Sequence, residues 1–355
     1  MIIVLALVFQ GCSTTPASTL AEKPHILHFR LDTVARIPVG NELTTIANFF
    51  QPHASSNCYF LDDHNFNFFR VNTDKATLKR LGKISGLEYF EGFSVDEANK
   101  ELLVVSEDSL LIYQFDGTHK QAFSLSEKAP YGYLVLLNKW FQPIKRGNKL
   151  YMHYFPNVEA SFKDPDFFKQ PIEAEWDLAT HKVRLIAQDY PTNNQLYCYG
   201  YNYAPDRFVV SGSAHGYSFP YNDSLFIRNL NTGKEQVTFF GSRRKKEFRH
   251  IPFNKLAQLN ESVFDKLMIE NSAYQLSGSA PLSGYYYRTL AYNAGSAKRN
   301  SDKKYCMIIF DRNFKYLGES ELDFITGIVA DSHKGLTSIS KSREKKEVYI
   351  SRFIW

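Results

Sequence analysis

The side chains of this chain that are best suited to chemistry lie in three short segments. The run SGSAPLSGYYYR ends in Tyr285, Tyr287 and Arg288. Tyrosine rings offer stacking faces with a polar tip, and the guanidinium group of arginine adds a planar fork of donors. The pattern predicts a group that binds a sugar, a peptide or an anionic ligand. The alternative is that the alternate tyrosines pack between layers of the fold.

The second segment is SAHGYSFPYND, residues 213–223, which contains His215 and Tyr217. We expect a long connection between two strands here, and long loops on a rigid scaffold often carry function. His215 is therefore a candidate base or ligand-binding residue. No partner for it is evident from the sequence, so a structural histidine is the alternative.

The third segment is SRRKKEFRH, residues 242–250, in which Arg243, Arg244 and Lys245 are candidates for binding phosphate or carboxylate. The alternative is a solvated loop. A nucleic-acid binder concentrates basic side chains over a whole face, which one short patch does not provide. Nucleic acid is therefore not an expected partner.

Known catalytic motifs are missing from the sequence. It contains no GxSxG elbow, no HExxH, no Walker loop and no CxxC metal spacing. SRRK at 242–245 and SDKK at 301–304 match SxxK, but both lie in charged segments instead of opening an apolar helix. DHNFN at 63–67 resembles a calcium loop, but Phe68 stands where that loop requires glycine, so we predict a turn between strands. No catalytic residue and no cofactor is expected, although a divalent metal held in a channel by residues from several strands would escape a motif search.

The composition is that of a folded chain rich in sheet-forming residues. Of the 355 residues, 44% are hydrophobic and 22% are charged, which allows a sizeable core and argues against disorder. The 29 phenylalanines and 22 tyrosines favour β-structure. The net charge of +5 is small for this length.

The first residues, MIIVLALVFQGC, predict an export signal. Residues 2–9 are an unbroken apolar run, too short to span a bilayer and long enough for a signal-peptide core. Gly11 before Cys12 resembles the site at which a bacterial lipoprotein leader is cut and the cysteine is lipidated. Phe9 and Gln10 depart from the usual pattern there, and no basic residue precedes the apolar run. An upstream start and an incidental cysteine are therefore the alternatives.

The residues after Cys12 favour the lipoprotein interpretation, because STTPASTLAEK is polar and typical of a flexible linker. We predict a signal peptide at 1–11, the lipidated cysteine and its tether at 12–24, and one domain at 25–355. The absence of an acidic cluster after Cys12 favours an outer-membrane anchor that faces the periplasm. The other cysteines, Cys58, Cys198 and Cys306, are expected to be buried thiols, with one disulfide as the alternative.

A strand–turn–strand pattern recurs six times along the rest of the chain. The copies are residues 58–81, 101–125, 149–187, 207–240, 285–322 and 336–355. In SLLIYQF, residues 109–115, both alternate sets of side chains are largely apolar, as expected for a sheet that is covered on both faces. Repetition of such a unit predicts an all-β fold, a six-bladed β-propeller.

The last copy ends at Trp355 without its outer strand, and an unassigned strand, HILHFRLDTVARIPV at 25–39, precedes the first copy. We therefore predict that the N-terminal strand completes the last blade. Because the copies differ in length, seven blades and a pair of β-sandwiches are alternatives. One short helical insertion is predicted near 253–269, where Leu256, Leu259, Val263 and Leu267 share a helical face.

The lipoprotein-like start, the aromatic body and a blade sequence such as GYSFPYNDSLFIRNLNTGK, residues 216–234, resemble a known group. It is the six-bladed propeller lipoproteins of Bacteroidota, in particular the family called domain of unknown function 4221. The resemblance covers residues 25–355 and rests on pattern. It implies the fold and the location, and it implies no activity and no catalytic residues.

The sequence thus predicts a membrane-tethered protein that is not an enzyme and that binds a glycan, a peptide or an envelope protein through one end of the ring. One alternative is a metal-dependent hydrolase or lyase with its site in the central channel. Another is an assembly component that docks on other envelope proteins. Fold alone does not decide among them.

Overall fold

The computed structural model of the chain describes the following residues: 24–46, 48–106, 109–125, 132–134, 143–156, 171–186, 197–198, 205–244, 248, 251–252, 266, 269–293, 299, 302–322, 328–342 and 344–355. Cys12, the predicted leader and most of the predicted tether lie outside them, as does Lys245. No helix among the described residues is long and apolar enough to cross a membrane.

Six antiparallel sheets form a ring, and we number these blades in chain order. Blade 1 contains β2 (Phe49–Phe50), β3 (Asn57–Leu61), β4 (Asn67–Asn72) and β5 (Thr77–Lys83). Blade 2 contains β6 (Gly92–Asp96), β7 (Glu101–Ser106), β8 (Ser109–Gln114) and β9 (His119–Ser124). Blade 3 contains β10 (Gly132–Leu134), β11 (Ile144–Arg146), β12 (Lys149–Pro156), β13 (Glu173–Asp177) and β14 (Lys182–Ile186).

Blade 4 contains β16 (Asp206–Ser211), β17 (Ala214–Ser218), β18 (Ser224–Asn229) and β19 (Glu235–Phe239). Blade 5 contains β21 (Ala273–Ala280), β22 (Tyr285–Tyr292), β23 (Lys304–Asp311) and β24 (Tyr316–Leu322). Blade 6 contains β25 (Ile328–Ala330), β26 (Thr337–Ser342), β27 (Glu347–Ile354) and the N-terminal strand β1 (Arg30–Pro38). A small two-stranded sheet joins β15 (Tyr197–Cys198) to β20 (Ile251–Pro252).

Neighbouring blades pack through apolar faces, because successive side chains of a strand point to opposite sides of its sheet. Clusters of buried apolar residues fill the interfaces between blades 1 and 2, 2 and 3, 4 and 5, 5 and 6, and 6 and 1. Trp176 of β13 and Leu103 of β7, for example, belong to the cluster between blades 2 and 3. Burial on both faces explains why the sequence pattern of a blade has apolar residues in both alternate sets.

The N-terminal strand closes the ring, as predicted. Strand β1 pairs antiparallel with β27, from Arg30 opposite Ile354 to Pro38 opposite Glu347. Just before it, the backbone of Leu27 donates to Glu319 O at 2.9 Å, on the outer strand of blade 5. A Cβ atom at Gly318 would lie 2.7 Å from Leu27 Cγ, so glycine allows this close approach. Residues before β1 thus leave the ring at its outer rim, beside blades 5 and 6.

The all-β architecture and the six blades confirm the predicted fold, and the alternatives of seven blades or a pair of sandwiches are wrong. The predicted long connection at 213–223 is also wrong, because β17 occupies residues 214–218. The turn at 63–67 connects β3 to β4 as predicted. In the predicted helix at 253–269, Lys266 and Ile269 are described and helical, and the remaining residues lie outside the described part.

Candidate functional site

A cavity of about 500 Å³ lies on the axis of the ring. Its lining includes residues of the innermost strands of all six blades: Phe50, Val95, Arg146, Phe208, Leu276 and Val329. The innermost strands of a propeller surround its central channel, so this cavity is the channel. Its size is that of a site for a small molecule.

The mouth of the channel lies where each innermost strand turns towards the second strand of its blade. Residues at this end that line the cavity include His53, Gly212 and Pro281. Asp206 also lines it, at the opposite end of β16. Five residues of a strand separate Asp206 from Ser211, roughly 17 Å at 3.3 Å per residue. The cavity therefore extends well into the ring.

Two arginines, Arg146 and Arg207, line the channel in the described part of the chain. Arg207 pairs with Glu173, whereas Arg146 has no carboxylate partner among the described residues. It donates from Nη1 to Gly212 O at 2.5 Å and from Nη2 to Ser211 O at 3.0 Å, which ties blade 3 to blade 4 at the mouth. Its guanidinium carbon lies 5.9 Å from the centre of the Tyr151 ring. Three of its five N–H groups have no partner in the described part of the chain, so they remain available for an anion.

The other cations of the wall are paired. Lys145 Nζ lies 2.6 Å from Asp96 Oδ2 and 2.9 Å from Glu101 Oε2, and its side chain is 11% exposed. Arg207 forms an ion pair with Glu173 of blade 3. These pairs leave Arg146 as the cation that a ligand would meet.

His53 stands near Arg146 at the mouth. Burial, and then the positive charge of Arg146, lower the pKa of the His53 imidazole. The ring is therefore neutral at pH 7, with one nitrogen that accepts and one that donates. It adds a hydrogen-bonding group beside the guanidinium without adding charge.

Asp206 is the polar group at the inner end of the cavity. Burial raises its pKa to about 7, and the charge of Arg288 and then the polar groups of Ser277 oppose that rise. Among the described residues it forms no ion pair. Between Asp206 and the mouth the wall is mainly apolar, with Phe208, Leu276 and Val329.

Behind the channel wall lies a buried polar cluster between blades 3 and 4. Glu173 is 1% exposed and accepts hydrogen bonds from Arg207, His215 and Tyr217. Because a carboxylate can only accept, His215 Nδ1, 3.2 Å from Glu173 Oε1, carries a hydrogen. Burial by itself raises the pKa of Glu173, but Arg207 and then His215 hold it below its ordinary value.

The structure places His215 and Tyr217 inside this cluster. Both lie on β17, with exposures of 0% and 1%. Burial lowers the pKa of His215, so the ring is neutral at pH 7. The role of these residues in ligand binding stays a prediction, and the geometry places them behind Arg207 and not in the channel lining.

Tyr285, Tyr287 and Arg288 are not brought together, because alternate residues of β22 point to opposite faces of blade 5. Tyr285 and Tyr287 face blade 6, where Tyr287 lines the channel and its hydroxyl donates to Val329 O at 3.3 Å. A Cβ atom at Gly278 would lie 2.4 Å from that hydroxyl, so β21 approaches Tyr287 closely. Tyr285 contacts the ring of Trp355.

Arg288 is fully buried on the other face. It donates to three carbonyl oxygens of blade 4, those of Phe219, Asn222 and Phe240, at 2.6–2.8 Å. Its guanidinium carbon lies 3.4 Å from the centre of the Tyr274 ring. These contacts give Arg288 a structural role in joining blades 4 and 5, and its binding of a ligand stays a prediction.

Arg243 and Arg244 contact the outer strand of blade 5. The guanidinium carbon of Arg243 lies 4.5 Å from the centre of the Tyr316 ring. Arg244 Nη1 lies 2.8 Å from Glu321 Oε1, and Arg244 Nε lies 3.5 Å from Glu319 Oε2. Carboxylates thus already compensate the charge of Arg244, and anion binding by this segment stays a prediction.

Arg146, Asp206 and Glu173 were not predicted from the sequence. Glu173 and Glu175 alternate with Ala174 and Trp176 in EAEWD, a pattern that places two carboxylates on one covered face of a blade. Buried carboxylates need partners, so this pattern was an available signal. No comparable signal marks Arg146 or Asp206.

A metal site and a disulfide were both open from the sequence. Within the described ranges, no group of three His, Cys, Asp or Glu side chains is arranged to hold a metal ion. Cys58 and Cys306 are buried free thiols, and burial raises the pKa of each. The channel hydrolase therefore has no described ligand set and stays a prediction.

Comparison with solved structures finds the same fold in two proteins of Bacteroides. A member of the duf4221 family from Bacteroides vulgatus superposes with a TM-score of 0.71 at 14% identity, over 92% of this chain and 98% of that one. A protein from Bacteroides fragilis described as a putative exported protein superposes with a TM-score of 0.58 at 10% identity, over 92% of this chain and 95% of that one. No family model and no curated protein matches the sequence. This chain therefore shares the fold of a duf4221 protein, a six-bladed β-propeller, as the resemblance in its sequence predicted.

Proposed function

We propose that this chain is a lipid-anchored envelope protein that binds a small anionic ligand in the central channel of its propeller and performs no chemistry on it. The observation that carries the proposal is Arg146, a cation at the mouth of a cavity of about 500 Å³ whose described surroundings contain no carboxylate partner for it. The neighbouring cations, Lys145 and Arg207, are compensated by acidic side chains.

The apolar wall supports the same assignment. Pockets for small ligands are mostly apolar, and a few placed polar groups orient the ligand. Here the wall supplies Phe50, Phe208 and Leu276, and Arg146 supplies the oriented donors. A carboxylate attached to an apolar or sugar-like body fits this arrangement, which keeps both glycans and peptides as ligand classes.

Binding is expected to depend on the charge of the ligand and on Arg146. The probes are acetyl-trialanine and an acetylated uronic-acid disaccharide, each compared with its neutral amide. A probe at about a hundred times its dissociation constant stabilises by about 2.7 kcal/mol, a rise of a few degrees in melting temperature. We expect at least one acid to produce this shift, its amide to produce less, and Arg146→Gln to remove the difference.

Arg312→Gln is the matched control, because Arg312 is exposed in the turn between β23 and β24. It should retain the wild-type shifts. Equal shifts for acid and amide in the wild type, or an unchanged preference in Arg146→Gln, would contradict binding of an anion at the mouth.

The lipid anchor rests on the sequence around Cys12, and two observations support it. The residues before β1 leave the ring at its outer rim, so an anchor there leaves the channel mouth open. The Bacteroides fragilis protein with the same fold is described as a putative exported protein. We propose attachment to the outer membrane on the periplasmic side.

Lipidation has a direct test. Cells that express the full chain are labelled with radioactive palmitate, and the expected result is label in the wild type and none in Cys12→Ala. Cys306→Ala serves as the control, since its thiol is buried in the folded ring and should leave labelling unchanged. Equal labelling of wild type and Cys12→Ala would overturn the anchor.

A further inference from the structure

The channel carries a different polar group at each end, and we propose that it binds short peptides whose two termini are both free. Arg146 takes the terminal carboxylate at the mouth, and Asp206 takes the terminal ammonium group at the inner end. This inference rests on the proposed function and names its ligand class.

The spacing of the two groups sets the length of the ligand. Arg146 bonds to Ser211 O, and Asp206 lies five residues earlier on the same strand, β16. That separation is roughly 17 Å for a strand. Each ion pair takes about 3 Å of it, which leaves roughly 11 Å. An extended peptide rises about 3.3 Å per residue, so three residues, or at most four, span the gap.

The backbone of the channel wall favours a peptide over other ligands of this length. Innermost strands such as β16 and β21 pair with one neighbour each within their sheets, and their other edges face the channel. The free edge of a strand presents unpaired N–H and C=O groups, which an extended peptide matches by adding as a further strand. A sugar does not offer that regular alternation of donors and acceptors.

The surroundings of Asp206 suit an ammonium group. On β16, its neighbour Arg207 is paired with Glu173 on the side of blade 3. On β22, Arg288 donates to carbonyl oxygens of blade 4, and Tyr287 donates to Val329 O. Ser277, whose hydroxyl donates to Ser218 Oγ at 3.0 Å, is the polar neighbour that acts on Asp206, and Asp206 has no ion-pair partner within the described ranges. The carboxyl group is thus the acceptor at the inner end that a ligand cation would meet.

The terminal ammonium group is expected to couple binding to pH. Burial raises the pKa of Asp206 to about 7, so the carboxylate form that pairs with the ammonium is lost as pH falls below 7. Above about 8 the peptide amine itself loses its proton. Affinity for a free-amine peptide should therefore be highest between these values and fall up to tenfold per pH unit below 7.

The experiment measures the dissociation constants of trialanine, acetyl-trialanine and trialanine amide for the full chain by titration calorimetry. We expect trialanine to bind at least tenfold more tightly than either blocked peptide. Asp206→Asn should abolish the preference for a free amine and keep the preference for a free acid, and Arg146→Gln should do the reverse. A length series from dialanine to hexaalanine should be tightest at three or four residues.

Asp63→Asn is the matched control, since Asp63 lies in the turn between β3 and β4 and should preserve both preferences. The melting temperature of each variant shows whether it is folded. If acetyl-trialanine binds as tightly as trialanine, or Asp206→Asn keeps the preference for a free amine, this inference falls while anion binding stands. If trialanine amide binds as tightly as trialanine, both fall.

Discussion

Replacing Glu173 by alanine should destabilise the protein by about 3–5 kcal/mol, because the substitution leaves the charge of Arg207 buried without its carboxylate. His215 and Tyr217 lose their acceptor as well. The loss corresponds to a lowering of the melting temperature by roughly 4–7 °C. Calorimetry and urea unfolding of wild type and variant provide the measurement.

Glu344→Ala is the control, since Glu344 is exposed in the turn between β26 and β27 and its loss should cost little. A double variant, Glu173→Leu with Arg207→Met, removes both charges and should be more stable than Glu173→Ala alone. If Glu173→Ala unfolds at the same urea concentration as Glu344→Ala, the cluster does not join blades 3 and 4 as we describe.

Replacing Arg288 by methionine should destabilise the protein by about 3 kcal/mol or more, since it leaves three carbonyl oxygens of blade 4 without their donor. Phe219, Asn222 and Phe240 supply these oxygens, and a buried acceptor that loses its partner costs about 1–3 kcal/mol. The stacking of the guanidinium on Tyr274 is lost too. Urea unfolding measures the change.

The same variant tests the ligand-binding role predicted for Arg288. Its guanidinium reaches blade 4 and not the channel lining, so a folded Arg288→Met protein should bind acids in the channel as the wild type does. Arg312→Met is the control for loss of an exposed arginine. A stable Arg288→Met protein that has lost binding would restore the predicted role and contradict the structural one.

The fold was predictable because strands two to four of each blade carry a strong signal. β8 and β23, for example, are apolar on both faces, and tight turns separate them from their neighbours. The innermost strands carry a weak signal. β2 has two residues, and β11 and β25 have three each. Segments this short show no apolar period, and these three were not predicted from the sequence, whereas the six-residue innermost strand β16 overlaps the predicted copy 207–240.

The candidate site was not predictable for a related reason. The group YYYR is contiguous in sequence and was predicted to form one binding group. Adjacent residues of a strand point to opposite faces of the sheet, so Tyr287 and Arg288 lie on different sides of blade 5. Conversely, Glu173 and Arg207 are 34 residues apart and meet only because blades 3 and 4 are neighbours in the ring. Residues that converge from different blades form no motif with a recognisable spacing in the sequence.

From the sequence we could predict an all-β ring of repeated blades, its closure by β1 and the resemblance to a duf4221 protein, because strand periodicity and turn residues are local properties of the chain, while the count of six over seven came from the structure. It also carries the prediction of an anchor at Cys12. Which charges are compensated became clear from the folded ring alone. Lys145 and Arg146 are adjacent in sequence, yet two carboxylates of blade 2 pair with Lys145, and the neighbours of Arg146 are two carbonyl oxygens of blade 4. The partners of these two side chains lie on neighbouring blades, which come into contact only when the ring has formed.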